Sequence, residues 1–365
     1  MRIAYVSLHW PRTVSSGVGK KILRHISAWR TAAHDIEFFM HTVYRKTDMP
    51  LLPGKTFFYR EGRGPAGEWE RIAAAQRLLK AVQSYGPDII YLRYGMYVYP
   101  IHRLASIAPL VEELNTNDLS QHERLGLFYG LYNRLTRGLI IKRTSGLVCM
   151  SNELVHNPHN VRFGKPFLVI GDSIDLDNIS PLPAPENIRP RIAFIGSPDS
   201  PWQGVDKLVR LASMFPDMSI HIIGYDRIVE HSSLPENLHL YGYLDNLRYT
   251  KILQTMDCAI GSLALHRIQL NESSPLKTRE CLALGLPMVL PYSDTDLDDL
   301  NCDFLLKIPN KEDNIQTHGE AIREFAYRMR GVRADRAMLE KLIDSTYKEE
   351  MRLKFFAEIL NSRKP

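Results

Sequence analysis

The stretch Asn271–Pro291 combines a predicted helix start with a lysine; it reads NESSPLKTRECLALGLPMVLP. Ser274 is a favourable N-cap, Pro275 suits the first helical position, and Gly285 is a natural end for the helix. The first N–H groups of a helix have no intrahelical partner and lie at the positive end of its dipole. Because Lys277 adds a cation within the first turn, the stretch predicts an anion-binding site.

Two carboxylates flank this predicted anion site. Glu272 lies in the loop before the helix, and Glu280 lies within the helix. Carboxylates accept hydrogen bonds from hydroxyl groups, whereas helix N-termini donate them to phosphate oxygens. The combination suits a ligand that carries both phosphates and hydroxyls, such as a nucleotide-sugar. The alternative is a capped surface helix with two solvated glutamates.

The wider string favours the first interpretation. A Glu-x7-Glu pair followed by Gly-Leu-Pro-Met-Val resembles the donor-site signature of retaining GT-B glycosyltransferases, especially family 4 and its relatives. The resemblance implies that Glu272 contacts the donor sugar hydroxyls and that Glu280 contacts the nucleotide ribose. It also implies that the backbone from Ser273 through Ser274 to Leu276 holds the diphosphate, with Lys277 beside it.

A metal site is the less favoured interpretation of a nearby acidic run. Asp294-Thr295-Asp296 has the form of an Asp-x-Asp motif, which in a different glycosyltransferase fold holds a divalent ion on the diphosphate. Here it follows a predicted strand, where capping of a helix is the better interpretation. We therefore expect a metal-independent protein without a cofactor, whose nucleotide-sugar is a substrate.

Length and composition indicate a globular protein of two domains. The chain has 365 residues, 44% hydrophobic and 24% charged, with a net charge of +5 that does not require nucleic acid as a partner. Its four cysteines are scattered without metal-ligand spacing, and three of them, Cys149, Cys258 and Cys281, lie in apolar runs. Without a signal peptide or a membrane-spanning run, a cytoplasmic location is expected, with reduced thiols.

The first half of the chain alternates strands and helices, as in a doubly wound domain. A strand from Ile3 to Leu8 leads through a Gly/Ser loop into a helix from about Val18 to Arg30. A tight turn explains that loop equally well. In GT-B enzymes, however, the corresponding loop lies at the interdomain cleft, which makes Gly17 and Gly19 candidate donor contacts and Ser16 a candidate acceptor contact.

Polar residues follow two further strands of this half. Arg93 and Tyr94 come directly after a strand ending at Leu92, where they could meet an acceptor. Asn115 and Asn117 follow the next strand, in a segment that resembles the family 4 "Glu-x-Asn" or "Glu-x-His" element near the reacting carbon. An amide cannot act as a base, but in a retaining mechanism the leaving phosphate can take the acceptor proton. An Asx turn is the alternative for these two asparagines.

The second half repeats the pattern after a proline-rich linker, Ser180–Pro185. A strand from Arg191 to Ile195 leads into Gly196 and Ser197, which are candidate donor contacts by their place in the family order. Relatives carry Arg and Lys where this chain has Ser197 and Gln203. The residues that could supply the missing charge are Lys207, His266, Arg267 and Lys277.

A basic amphipathic pattern runs from Glu123 to Arg143. Leu125, Phe128, Tyr132 and Leu135 recur at helical spacing, with arginines and lysines between them. Such a helix can lie on anionic lipid, and peripheral contact with the inner membrane face is one interpretation. The favoured interpretation is a helix whose apolar face packs on the core.

We therefore expect an α/β protein of GT-B architecture, with two Rossmann-like domains and an interdomain cleft. The predicted acceptor-side domain covers residues 1–180, with a C-terminal helix at about 346–365 packing back on it, and the donor-binding domain covers residues 181–345. The resemblance implies transfer of a sugar, with retention, from a nucleoside diphosphate sugar to a sugar or lipid-linked acceptor, in bacterial surface polysaccharide or glycoconjugate synthesis. A catalytically degenerate GT-B binding subunit, or a nucleotide-sugar epimerase, is the alternative.

Overall fold

The computed structural model describes residues 1–8, 17–45, 53–60, 64–198, 200–228 and 233–362. Two compact units divide the chain: Met1–Ile170 together with Ser345–Pro365, and Gly171–Asp344. The division at Gly171 precedes the proline-rich linker that the sequence suggested as the boundary. The reason is that the Ile174 N–H donates to the Ile343 carbonyl, at 2.9 Å, and Leu176 is buried in the core of the second unit.

The first unit is built on a seven-stranded parallel sheet in the order β3-β2-β1-β4-β5-β6-β7. Its strands are rich in buried Ile, Val, Leu and aromatic residues, as expected for a sheet covered on both faces. They are β1 (Arg2–Ser7), β2 (Asp35–Thr42), β3 (Lys55–Phe58), β4 (Ile89–Arg93), β5 (Leu110–Leu114), β6 (Gly146–Cys149) and β7 (Phe167–Val169). Among the described residues, β3 is a short strand at one edge of this sheet.

Helices connect these strands on the two faces of the sheet. They are α1 (Gly17–Thr31), α2 (Pro65–Tyr85), α3 (Asp118–Arg124), α4 (Leu127–Thr136), α5 (Gly138–Ile141), α6 (Asn152–His156) and α7 (Pro158–Val161). The prediction of one long helix from Glu123 to Arg143 is wrong. Gly126, with φ of 130°, separates α3 from α4, because that backbone conformation cannot continue a helix.

The second unit contains a six-stranded parallel sheet in the order β10-β9-β8-β11-β13-β15, and a separate two-stranded pair, β12 with β14. Its strands are β8 (Arg191–Ile195), β9 (Ser219–Ile223), β10 (Leu238–Leu240), β11 (Cys258–Ile260), β12 (Glu272–Ser273), β13 (Met288–Leu290), β14 (Ser293–Asp294) and β15 (Leu305–Lys307). Its helices are α8 (Val205–Met214), α9 (Asn246–Gln254), α10 (Leu276–Ala283), α11 (Asn314–Arg328) and α12 (Glu340–Ile343).

The last helix, α13 (Ser345–Asn361), belongs to the first unit. It packs beside α1, where Trp29 Nε1 donates to Glu349 Oε2 at 2.7 Å. Arg352 donates to the Tyr91 hydroxyl at 2.6 Å, and the ring of Phe356 lies against Trp29 and Tyr91. The core of the first unit is therefore completed by a segment that follows the whole second unit in the sequence.

The sequence-based expectations about cysteines and about membrane-spanning helices can be compared with the structure. Cys149, Cys258 and Cys281 are buried free thiols, which confirms them as core residues. Burial raises the pKa of each of these thiols above its ordinary value. Within the described ranges, no helix has the length and apolar character needed to cross a membrane.

Candidate functional site

The polar residues of the second unit collect where its parallel strands end. Gly196 follows β8, Gly224 follows β9, and the short helical turn Leu265–Ile268 follows β11. A cavity of about 690 Å³ opens here, within the size range of small-molecule sites. Its lining comes from the segments after β8, β9 and β11 and from the start of α8: Pro198, Ser200, Pro201, Val205, Asp206, Tyr225, Asp226, Arg227, Ile228 and Arg267. This is the edge of a parallel sheet at which ligands bind.

The start of α10 presents the predicted anion site. The residue before the helix is Pro275, and the Thr278 N–H donates to its carbonyl at 3.0 Å. The N–H groups of Leu276 and Lys277 precede that bond and have no place in the helical ladder. Burial lowers the pKa of the half-buried Lys277 ammonium, while the neighbouring Glu280 acts in the opposite direction. Lys277 thus lies in the first turn, as predicted.

Ser274 does not cap this helix, contrary to the prediction. Its hydroxyl is fully buried and accepts from the Asp172 N–H at 2.8 Å and from Arg279 at 2.5 Å. A side chain held by these two donors cannot turn towards the start of α10. Ser274 therefore fixes the loop before the helix, and only its backbone remains a candidate for phosphate binding.

Arg279 is the centre of this arrangement, although no sequence pattern had pointed to it. The guanidinium is completely buried and binds Asp294 through two hydrogen bonds, at 2.6 and 2.7 Å, and Asp296 at 2.7 Å. Its Nε–H donates to the Asp172 carbonyl. The Asp-x-Asp run is therefore an ion-pair partner that joins β14 to α10. Among the described residues, no group of three His, Cys, Asp or Glu is arranged to hold a metal.

The two glutamates occupy different elements. Glu272 and Ser273 form β12, which pairs with Ser293 and Asp294, and both side chains are partly exposed. Glu280 is also half-buried, on α10, near the ring of Tyr249 on α9. Burial raises the pKa of the Tyr249 hydroxyl, and the charge of Glu280 raises it further. Glu272 thus lies in a two-residue strand where the sequence predicted a loop.

The loop after β8 is held rigidly by a glutamine. Gln203 is buried, and its Oε1 accepts from the Ser197 N–H at 2.9 Å and from the Tyr225 hydroxyl at 3.1 Å. A side chain at Gly196 would come within 2.4 Å of that oxygen, so only glycine fits there. Gly196 and Ser197 therefore lie at the sheet edge as predicted, while Gln203 supports their backbone.

Two of the candidate cations already have partners within the second unit. Lys207 is buried, and its ammonium donates to the carbonyls of Leu263 and Lys311 and to Asn314 Oδ1, at 2.7 to 3.2 Å. These acceptors use its three hydrogens, so we leave Lys207 out of the proposed donor contacts. Arg267 lies between Asp206 and Glu312, with distances of 2.5 to 3.0 Å to both carboxylates.

His266 shares the same carboxylate, since its Nε2 lies 2.6 Å from Glu312 Oε2. Sequence reasoning also missed Arg227, which is exposed and lines the cavity just after β9. Its position after a buried parallel strand was the available signal, because the carboxyl ends of such strands face the ligand.

The first unit has its own polar cluster, at the carboxyl ends of β4 and β5. Glu113 is buried and accepts from Arg93 at 2.9 Å, and Lys21 of α1 lies 3.3 Å away. Lys21 also donates to Asn115 Oδ1 at 2.6 Å. Although burial alone raises the pKa of Glu113, Lys21 and Arg93 hold it well below its ordinary value. The structure thus brings Arg93 and Asn115 together around a carboxylate that the sequence had not singled out.

Asn117 and Tyr94 have other partners. Asn117 is the N-cap of α3, where its Oδ1 accepts from the Ser120 N–H at 3.4 Å, as in the Asx alternative. Tyr94 donates to Asn133 Oδ1 on α4 at 2.5 Å. Both side chains therefore have structural roles in this unit, and we withdraw Asn117 as a catalytic candidate and Tyr94 as an acceptor candidate.

Two glycines of the predicted Gly/Ser loop belong to helix α1. Gly17 and Gly19 lie in the first turn of α1, and Gly19 is buried. Ser16 lies outside the described residues. The start of α1 therefore stands at the same sheet edge as Lys21, with Gly17 exposed there.

Comparison with known proteins gives matches among solved structures. No protein-family model and no curated protein sequence matches the chain. The lipopolysaccharide outer core galactosyltransferase WaaB, in its apo form, aligns with a TM-score of 0.70 at 11% identity, over 98% of this chain and 100% of that one. Sucrose-phosphate synthase from Thermosynechococcus elongatus aligns at 0.66 and 12% identity, over 99% of both chains.

An alpha-glucosyltransferase in complex with UDP-glucose and DNA containing an abasic site aligns at 0.59 and 14% identity, over 98% of this chain and 99% of that one. At such identities the likeness concerns the fold. Each unit of this chain has a Rossmann-like parallel sheet, and the matches extend over both units. The chain therefore has the GT-B fold, as the sequence predicted.

Proposed function

We propose that this protein is a retaining glycosyltransferase, resembling family 4, that uses a nucleoside diphosphate sugar. The observation that carries the proposal is the start of α10, where Lys277 and two backbone N–H groups outside the helical ladder lie between Glu272 and Glu280. Donors for phosphate and acceptors for hydroxyls are thereby built into one short segment at a ligand-binding sheet edge. The second unit would hold the donor, and the first would hold the acceptor.

In the proposed reaction, the bond between the anomeric carbon and the diphosphate oxygen breaks, and a bond from the acceptor oxygen to the same face of that carbon forms. The acceptor proton passes to the departing diphosphate. Glu272 would accept hydrogen bonds from the sugar hydroxyls, and Glu280 from the ribose. Lys277 and the first N–H groups of α10 would stabilise the charge that develops on the leaving group. The proposal includes no metal and no cofactor.

Relatives bind the diphosphate with Arg and Lys at the positions of Ser197 and Gln203. In this chain Arg227 would supply the positive charge instead. It lines the cavity, and within the described part of the chain it forms no ion pair, whereas Lys207 and Arg267 both pair with Glu312. A guanidinium can bind phosphate oxygens in a bidentate manner, which a lysine cannot. Gly196 and the start of α10 would allow the diphosphate to approach the backbone closely.

The proposed acceptor is a sugar or lipid-linked hydroxyl in the synthesis of a bacterial surface polysaccharide or glycoconjugate. WaaB, one of the solved structures that share the fold, is described as a lipopolysaccharide outer core galactosyltransferase, which makes such an acceptor reasonable. We place the protein in the cytoplasm, since all four of its cysteines are free thiols.

The proposal is tested by incubating the purified protein with a panel of nucleotide-sugars and following release of the nucleoside diphosphate. Turnover with an acceptor, or slow hydrolysis of one donor without it, is the expected result. Nuclear magnetic resonance of the product then establishes whether the anomeric configuration is retained. Silence across the panel, together with no binding of any nucleotide, would overturn the proposal.

A degenerate GT-B subunit that binds partners without chemistry is the second candidate. The neutralisation of Lys207 and Arg267 favours it, because the diphosphate then has fewer cationic partners. Calorimetry with UDP, GDP and ADP separates the two candidates. An enzyme should bind one of them, and Arg227→Gln should weaken that binding by about tenfold, the loss of one charge-assisted hydrogen bond. A degenerate subunit should bind none.

A further inference from the structure

Helix α4 has its apolar side facing solvent. Leu127, Phe128, Leu131 and Leu135 lie on one face of the helix, and Leu139 continues that face on α5. Leu127 is 89% exposed, Phe128 75% and Leu135 71%. We call these five side chains the α4–α5 ridge. The sequence pattern favoured packing of this face on the core, and the structure places it outside.

The inward face of the same helix is polar. Asn133 is fully buried and donates to Asp118 Oδ2 at 2.8 Å. Arg137 is buried beside it and binds both oxygens of Asp118, at 2.8 and 2.9 Å. Gly130 lies so close to Glu123 of α3 that no Cβ would fit without displacement. The helix is therefore held by hydrogen bonds and an ion pair, which leaves its apolar residues free for another surface.

Basic side chains border the ridge. Between residues 123 and 143, the exposed basic residues are Arg124, Arg134, Lys142 and Arg143, and the exposed acidic residue is Glu123. Arg134 binds Glu123 at 2.9 Å, and with four exposed basic residues and one acidic residue this range carries an excess of positive charge. Apolar side chains flanked by basic ones characterise helices that lie in the interface of an anionic bilayer.

We propose that the α4–α5 ridge docks the protein on an anionic membrane surface. The flanking charges select this occupant, because a contact between two copies through this face would bring their like charges together. The leucines and the phenylalanine would enter the boundary between headgroups and acyl chains, and the basic residues would contact the headgroups. This inference concerns the first unit alone and does not depend on the proposed sugar transfer.

The test is flotation of the full-length protein with vesicles of phosphatidylcholine, with and without phosphatidylglycerol. We expect binding to the anionic vesicles, weakened by salt. The combined variant Leu127→Ser, Leu131→Ser, Leu135→Ser should reduce the bound fraction by about tenfold or more. Arg124→Gln with Lys142→Gln should reduce it by a comparable factor on anionic vesicles alone.

The matched control is Tyr243→Ser with Leu247→Ser, which removes two similarly exposed apolar side chains from the second unit. It should bind vesicles as well as the unchanged protein does. Circular dichroism establishes that each variant is folded. Failure of the unchanged protein to bind anionic vesicles, or binding unaffected by the leucine changes, would overturn the proposal. So would a dimer, measured by light scattering, that the leucine changes convert to a monomer.

Discussion

At the scale of single residues, the roles proposed for the two glutamates can be separated. Glu272→Gln keeps the shape of the side chain but removes charge-assisted acceptance, worth roughly 1.5–3 kcal/mol for each hydrogen bond. Turnover should fall by about tenfold to a hundredfold, while a free nucleoside diphosphate still binds normally. Glu280→Gln should weaken binding of the nucleotide itself.

Calorimetry and initial rates measure the two effects, and the exposed Glu340→Gln serves as a control. Unfolding temperatures are needed for both variants, because Glu280 also neighbours Tyr249. The opposite pattern would exchange the two roles. Full activity in both variants would mean that the pair is a solvated surface feature.

The buried carboxyl group of Glu112 should make the stability of the protein depend on pH. It is fully buried on β5, and no described residue forms a hydrogen bond with either carboxyl oxygen. Burial raises its pKa from 4.5 to about 8, although Arg137 acts in the opposite direction. The folded protein therefore keeps a proton that the unfolded chain releases near pH 4.5. Its contribution to stability is complete below that pH and is lost as pH rises to about 8.

Glu112→Gln removes this titration. The variant should gain stability over the unchanged protein by up to about 1.4 kcal/mol for each pH unit between those limits. Denaturant unfolding at several pH values measures the difference, which should be small at pH 4. A difference that stays constant from pH 4 to pH 8 would contradict the buried, protonated state.

Several residue roles depend on contacts that no local pattern encodes. Lys207 was a reasonable candidate for binding phosphate, but its partners Leu263, Lys311 and Asn314 lie far along the chain. Ser274 has the sequence context of an N-cap, yet Arg279 competes for its hydroxyl. By contrast, the place of Lys277 in the first turn of α10 could be predicted, since it depends only on neighbouring residues.

At the scale of elements, two glycines of the α4–α5 segment should respond oppositely to alanine. A Cβ at Gly130 would lie 2.8 Å from Glu123 Cγ and 3.0 Å from its Cα, whereas a Cβ at Gly138 would meet Phe163 at an ordinary 3.6 Å. Gly138→Ala should stabilise the protein by about 0.5–1 kcal/mol through helix propensity. Gly130→Ala should be neutral or destabilising, because α3 and α4 must separate.

Chemical denaturation of the two variants provides the comparison. Equal stabilisation by both changes would mean that α3 and α4 can separate enough for a Cβ at Gly130 without loss of free energy. The same variants bear on docking, since Gly138→Ala leaves the α4–α5 ridge unchanged and should bind vesicles normally.

Apolar strands bounded by turn residues were predictable as elements, and strands without such a pattern were not. β8 was predicted with both ends correct, because its apolar run is bounded by Pro190 and Gly196. β3 was missed, since four residues beside Pro53 and Gly54 carry little signal and gain their strand conformation by pairing with β2. The outward face of α4 was predicted wrongly, because periodicity identifies an apolar face but not what covers it.

At the scale of the whole molecule, the two units should respond separately to loss of a buried cation. Arg352→Met removes the guanidinium that Glu349 binds in the first unit, and Arg279→Met removes the one that Asp294 and Asp296 bind in the second. Each change should cost about 3–5 kcal/mol. Hydrogen exchange should then show lost protection within residues 1–170 for Arg352→Met, and within residues 171–344 for Arg279→Met.

Exposed Arg248→Gln is the control, since its pair with Asp245 is largely solvated and should matter little. Loss of protection spread equally over both units by either variant would show that they unfold together. In that case a single free energy of unfolding would describe the protein.

The position of α13 has a consequence for synthesis on the ribosome. Trp29 and Tyr91 are made early, but Glu349, Arg352 and Phe356, which complete their surroundings, emerge only after the entire second unit. The second unit, whose residues are continuous in sequence, can close its own core first. Until α13 is made, the nascent first unit keeps an uncovered apolar groove beside α1. A ribosome that stalls before Ser345 would therefore display a finished second unit and an unfinished first one, a species that chaperones bind.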